Sequence, residues 1–296
     1  MVCGSLSHVW VLDLRFQCIY LELTNQCGMA CSFCPSRPSK ERIMGLIDFQ
    51  NVLAQIVGKT KTIALHVWGD PLTLTNISEY LDIAKNLGFK VRLVTSGMPL
   101  SSQYPQLLKH PALLQCAISL NSVAQLSNSR QDAYFQTLWD WCEYHSQNKL
   151  TSFINLRLWK KPDESNGFVT KTLQRINNYF DIQIADDFGY DTFYQLAPRI
   201  RLVSSRYFEW PSQNAPIVAP STCHGLRSQL GILSDLRVVP CCMDGDGVLE
   251  LGNLYSQDLD EILSSNRAVA IKNGFENSKV LEDMCLHCGF RERFIS

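Results

Sequence analysis

The chain is predicted to fold as an α/β protein on a parallel sheet, followed by a smaller C-terminal segment of different build. Short apolar runs alternate with helical patterns from Ile19 to about Tyr179, the signature of repeated β-α units. The 296 residues are 46% hydrophobic, enough to bury a substantial core. From about Tyr190 the pattern gives way to the Pro-rich, irregular stretch WPSQNAPIVAPS, and no long β-α unit follows. The expected domains are therefore 1–190 and 191–296.

The first strand is IYLELT. Phe49, Val52, Leu53, Ile56 and Val57 recur at i, i+3, i+4, i+7 and i+8, which predicts a helix with Gly58 as its left-handed C-terminal cap. TIALHVW is the second strand. After it, Asn76 with Glu79 three residues on opens a second helix, which Gly88 closes. KVRLVT is the third strand, Ser101 to His110 the third helix, QCAISL the fourth strand, Asp132 to His145 the fourth helix and SFINLRLW the fifth strand. A fifth helix covers Val169 to Tyr179. Periodicity does not choose between FDIQIA and FYQLAPRIRLV for a sixth strand. Further on, GIL and RVVP flank Ser234-Asp235 as a hairpin, and LGNLYSQDLDEILSSNRAVAI reads as a turn leading to one helix capped by Ser256.

A formal net charge of -1 gives no electrostatic reason to expect nucleic acid or an anionic membrane as the main partner. The N-terminal MVCGSLSHVWVLDLRFQC has no basic cluster before an unbroken apolar run, and Asp13 and Arg15 interrupt it. Neither a signal peptide nor a membrane span fits, and a cytoplasmic location is expected. Of the twelve cysteines, Cys3, Cys18, Cys116, Cys142 and Cys242 stand singly and read as small buried hydrophobes. The other seven form two ligand-like groups.

Cys27, Cys31 and Cys34 lie within eight residues and have no nearby fourth thiolate. A structural zinc ion wants four closed ligands, whereas an iron-sulfur cluster held by three leaves one iron open to a small molecule. Cys223, Cys241, Cys285 and Cys288 make the second group, with seventeen residues between the first pair and a C-x2-C at the end. Four thiolates close a site, for zinc or for a cluster. Cys242 adjoins Cys241, and alternating side-chain directions allow only one of the two to enter a given site.

The spacing C-x3-C-x2-C, with Phe33 between the last two cysteines and an apolar strand before them, resembles the signature of the radical S-adenosylmethionine (SAM) enzymes. The resemblance implies a partial (β/α)6 barrel with a 4Fe-4S cluster on the loop after the first strand. SAM would bind the open iron, and a flavodoxin- or ferredoxin-like donor would supply the electron that cleaves it. Trp68-Gly69-Asp70-Pro71 resembles the family's glycine-glycine-glutamate-proline segment, which holds the SAM ammonium. Here Trp68 replaces a glycine and Asp70 is one methylene shorter. Taken alone, GDP is an ordinary strand-to-helix turn. Ser96, Ser119 and Asn121 resemble later strand-end contacts to SAM. Arg157, flanked by Leu156 and Leu158, is a charge that a barrel interior seldom leaves unpaired.

The hairpin, the LGN turn and the terminal C-x2-C resemble the SPASM and twitch extensions of that family. The cysteine spacing is similar to twitch members, including aminocyclitol dehydrogenases. This implies a second, auxiliary 4Fe-4S cluster on Cys223, Cys241, Cys285 and Cys288. Cys241 is chosen over Cys242 because it falls where the family places its ligand, although Leu236 stands where that pattern usually has glycine. Arg206 and Asp244 are candidate catalytic residues beside Arg157, and Arg199, Arg201, His66, His224 and His287 are secondary candidates. The expected reaction is oxidation of a small polar substrate, sugar- or cyclitol-like, with the auxiliary cluster accepting an electron. Modification of a ribosomally made peptide is the alternative, and only 26 residues precede Cys27 to supply a recognition domain. A non-catalytic iron-sulfur or zinc scaffold is the alternative of another class.

Overall fold

The computed structural model describes residues 16–35, 40–100, 105–160, 167–185 and 189–295. Its frame is a run of parallel strands: β1 (Cys18–Leu21), β2 (Thr62–Leu65), β3 (Lys90–Thr95), β4 (Leu113–Ser119) and β5 (Phe153–Lys160). FYQLAPRIRLV supplies the next strand and FDIQIA does not: the former folds as a hairpin of β6 (Thr192–Ala197) and β7 (Ile200–Arg206), with β7 parallel to β5. Arg199 turns that hairpin at φ 62°.

The predicted 234–235 hairpin forms from β8 (Gln229–Ile232) and β9 (Arg237–Val239), extended by β10 (Gly252–Asn253). Leu236, where the resemblance expects glycine, sits at φ 69° in the left-handed region, so this position does demand the conformation that glycine adopts most easily. β8 pairs in parallel with β1, so the C-terminal segment continues the sheet of the first. The order β10-β9-β8-β1-β2-β3-β4-β5-β7-β6 leaves two edges, a partial barrel.

Period-two alternation assigns the two faces of this sheet. Ile63, Leu65, Val91, Leu93, Ile154, Leu156, Leu158 and Leu202 are fully buried against the helices. These are α1 (Leu46–Ile56), α2 (Ile77–Asn86), α3 (Asn128–Gln147) and α4 (Phe168–Phe180). The intervening residues turn inward and are largely polar: Tyr20, His66, Arg92, Gln115, Asn155 and Arg157. Cys116 and Cys142 are buried in the apolar layer.

Three local expectations change. Val57 ends the α1 stripe but is exposed, because the helix stops at Ile56 and Gly58 takes a positive φ. The third helix reduces to a 3₁₀ turn at Pro105–Lys109, its first residues lying outside the described ones. The C-terminal helix breaks into α5 (Leu259–Ser264) and α6 (Asn266–Glu276), because Ser265 is extended and its hydroxyl accepts from Ala268 N–H as a new N-cap. A last short helix, α7 (Asp283–Leu286), carries the first cysteine of the C-x2-C. Among the described residues no helix is long and apolar enough to cross a membrane.

Candidate active site and auxiliary centre

The loop after β1 is pinned from both sides. Asn25 donates to the Lys40 carbonyl and accepts from Arg42 N–H, and Gln125 donates to the Ala30 carbonyl at 2.8 Å. Cys34 N–H reaches the Cys31 carbonyl, and the Cys31 thiol lies 3.8 Å from the Ser122 carbonyl. Phe33 packs edge-on against Trp159 at the end of β5, 5.3 Å between ring centres. The three cysteines are thus held at the C-terminal ends of the strands, where parallel β-α barrels place their chemistry.

Gly69 is required by close approach. A Cβ there would stand 1.8 Å from the Thr24 carbonyl oxygen and 2.8 Å from that of Gln26. Asp70 N–H donates to the Gln26 carbonyl, locking the two loops together. Trp68, in place of a glycine, lays its indole against Gly245, where a Cβ would come within 2.4 Å of the ring. It thereby joins the second motif to the C-terminal segment.

Asp70 is buried, and both of its oxygens are engaged. Oδ1 accepts from Leu72 N–H, and Oδ2 accepts from Thr95 Oγ1, Ser96 N–H and Ser96 Oγ at 2.6–2.9 Å. Burial raises its pKa against the pull of those bonds. The carboxylate is a strut between the ends of β2 and β3. The Ser96 hydroxyl is spent on it, and Asn121 spends its amide on both backbone groups of Trp159. Ser119 lines the chamber beneath the cluster loop, as does Arg157.

That chamber has about 1360 Å³ of space, its open mouth included. Its interior proper, about 370 Å³, lies within the roughly 300–1,000 Å³ of a single small-molecule site. Cys34, Phe33, Trp68, Ser119, Arg157 and Trp159 line its upper part. Burial and the Arg157 guanidinium lower the His66 pKa to about 3, so its ring is neutral. Five wall residues carry buried polar atoms with no partner: His66 Nδ1, Trp68 Nε1, Arg92 Nε, Asn155 Oδ1 and Trp210 Nε1. Buried polar groups are rarely left so. Their concentration on one wall marks a binding surface for a polar molecule.

Cys223, Cys241, Cys285 and Cys288 line a second, smaller cavity directly behind this chamber. Cys242 faces the other way, into the chamber, where Tyr20 hydrogen-bonds its thiol. Burial, then the neighbouring thiols, push the Cys241 pKa well up, and burial raises Cys288 to about 11. Arg291 is buried beside them, donating to the carbonyls of Cys285 and Ala219 and to Ser221 Oγ. It fixes the C-x2-C loop and places a cation near the thiols. No group of three or more metal-ligating side chains stands at the spacing of a single ion among the described residues.

Two expected site residues lie elsewhere. Arg206, at the end of β7, stands over the Tyr190 ring in a separate cleft. Asp244 is buried with both oxygens on the N–H groups of Val248 and Leu249, shaping the loop after Cys242. Arg201 is held between the Phe153 and Phe193 rings on the hairpin.

Residues 223–289 match the family model described as "SPASM: Iron-sulfur cluster-binding domain". The match puts a SPASM-like iron-sulfur domain in the C-terminal segment, on a fold shared with solved structures. The chain's fold is similar to BtrN solved with AdoMet and 2-DOIA, at 15% identity over 94% of each chain and a TM-score of 0.58. Streptococcus suis SuiB bound to precursor peptide SuiA is similar at 12% identity, over 94% of this chain and 71% of that one, with a TM-score of 0.59. Native anSMEcpe with bound AdoMet and the Cp18Cys peptide is similar at 16%, over 92% and 86%, with a TM-score of 0.53. No curated protein matches the chain in sequence. AdoMet is bound in the BtrN and anSMEcpe structures, and iron-sulfur clusters are what the matched domain family binds. The donor sets fit them: three cysteines on a braced loop at the chamber mouth, and four around a closed cavity.

Sequence reasoning did not single out Tyr20, Arg92, Gln115, Asn155, Trp210 or Gln229. For those on strands the signal was a polar residue at alternate positions of otherwise apolar runs, as in Arg92 within KVRLVT; Trp210, in the irregular stretch after the hairpin, gave none.

Proposed function

We propose that the protein is a cytoplasmic radical SAM oxidoreductase acting on a small polar substrate. Cys27, Cys31 and Cys34 would hold the catalytic cluster, and Cys223, Cys241, Cys285 and Cys288 the auxiliary one. When bound, the first cluster and SAM supply a 5'-deoxyadenosyl radical that removes a substrate hydrogen. The observation that carries the oxidative reading is that consecutive residues, Cys241 and Cys242, face the auxiliary cavity and the substrate chamber respectively. Cys241 would thus hold the second cluster one residue from the chamber wall that Cys242 forms, where the cluster could supply an electron acceptor for substrate oxidation.

The chain's own groups then take defined parts. Ser119 and Arg157 bind at the SAM side of the chamber, neutral His66 offers an unpartnered Nδ1 to a substrate hydroxyl, and Phe33 with Trp159 closes the upper wall against water. Asp70 positions the Thr95-Ser96 turn rather than touching the ammonium. A flavodoxin- or ferredoxin-like protein is the proposed electron donor. A peptide substrate has one observation in its favour: an outer cleft lined by Pro35, Ser212, Asp246 and Asp283 shares Trp68, Trp210 and Met243 with the chamber.

The test is anaerobic incubation of reduced, cluster-loaded protein with SAM. The wild type should release 5'-deoxyadenosine, and replacement of Cys27, Cys31 and Cys34 together by alanine should abolish it while the auxiliary iron stays. No release from the wild type would leave the protein a scaffold.

A further inference from the structure

The inner end of the chamber carries a positive charge that has no ion-pair partner among the described residues. Arg92 on β3 lies in register with Ala64 and Gln115, and Ala64 in turn with Tyr20, so these four form one inward-facing layer well below the cluster loop. Arg157 stands higher, level with Ser119. Neither arginine has an ion-pair partner among the described residues, and Arg92 Nε is buried with no hydrogen-bond partner at all. Among the described residues no aspartate or glutamate lines the chamber. Of the two carboxylates nearest by strand position, Asp70 is held by Thr95 and Ser96, and Glu22 gives Oε2 to Ser234 while its Oε1 stays unpartnered; neither lines the chamber.

The amide beside Arg92 in the layer has the matching bias. Asn155 Nδ2 donates to Gln115 Oε1 at 3.1 Å, which occupies the amide oxygen and leaves the Gln115 NH₂ to donate beside Arg92. Ala64, between Tyr20 and Arg92, keeps that layer open. Arg92 is half-buried, with its Nε covered and the rest of the guanidinium open to the chamber, and a bidentate anion is the ligand that best matches such a fork. SAM does not meet this need. It brings a sulfonium and an ammonium beside its single carboxylate and is not a net anion.

We propose that Arg92, with Gln115, anchors a carboxylate or phosphate group of the substrate at the inner end of the barrel, so that the substrate is a small polar acid rather than a neutral or amino-bearing cyclitol. This deepens the oxidoreductase reading and rests on it for the identity of the ligand as substrate. The binding itself does not depend on SAM turnover.

The experiment is isothermal titration of the cluster-loaded protein with four hexose probes of similar size: glucose 6-phosphate, glucuronate, glucose and glucosamine. At least one of the two anions should bind, at least about tenfold more tightly than glucose and glucosamine, and the tighter of the two identifies phosphate or carboxylate as the recognised group. Arg92→Gln should cost that anion about ten- to hundredfold, and Arg92→Lys should restore part of the loss by keeping the charge. Heat from neither anion, or equal binding of glucose or glucosamine, overturns the proposal on the wild type alone, whatever the variants do. Deoxyadenosine release is scored separately, so a failure of SAM chemistry cannot be mistaken for a failure of the anion anchor.

Discussion

Replacing Asp70 by alanine should cost fold stability, because the carboxylate is a strut. It accepts from two backbone N–H groups, of Leu72 and Ser96, and from the hydroxyls of Thr95 and Ser96, while almost wholly buried. The hydroxyls can turn toward other acceptors, but the N–H groups cannot. At about 1–3 kcal/mol for each of the two N–H donors left unpaired, Asp70→Ala should lose about 2–6 kcal/mol. Asp70→Asn should lose about 1–3 kcal/mol, since its oxygen keeps one side of the network and its NH₂ faces a donor on the other. Denaturant unfolding of the cluster-loaded protein, followed by far-UV circular dichroism, reads both values. An alanine variant within about 0.5 kcal/mol of wild type would refute the strut and return Asp70 to a direct role in ligand binding.

Serine at position 241 should remove the auxiliary iron, whereas serine at 242 should leave it in place, because the two side chains enter different cavities. Anaerobic iron and sulfide analysis separates them, and the reverse outcome would make Cys242 the ligand. His66 should also make stability depend on acid. Its folded pKa of about 3 lies below the ordinary 6.5, so its contribution is full above pH 6.5 and is lost progressively as pH falls toward 3. The loss is at most about 5 kcal/mol. His66→Gln should flatten that part of the stability profile, and an unchanged acid slope would contradict a neutral buried ring.

What was legible in the sequence was what local periodicity controls. The outward residues of β2, β3 and β5 repeat every second position, so those strands could be read directly, as could the 234–235 hairpin. The helix break at Ser265 was not legible, because apolar spacing continues across it and only the cap geometry reveals the stop. The inner wall was harder still. Arg92 and Asn155 look like ordinary alternation until the sheet curls and brings strands 60 residues apart onto one chamber. The role of Asp70 was hidden for the same reason, its acceptor duties being set by Thr95 and Ser96, one β-α unit later. Cysteine spacing was the strongest signal in the chain, since thiolate ligands need number and reach more than they need exact partners.

The division of labour between two iron-sulfur centres is the central claim, and one preparation tests it most directly. Wild-type protein and a variant with Cys285 and Cys288 both changed to alanine are loaded anaerobically, then assayed for iron, sulfide, 5'-deoxyadenosine and oxidised product. The account predicts about eight irons in the wild type and about four in the variant, with deoxyadenosine still formed by the variant and oxidised product lost. A wild type holding about four irons and about one zinc, under conditions that fill the first cluster, would contradict it.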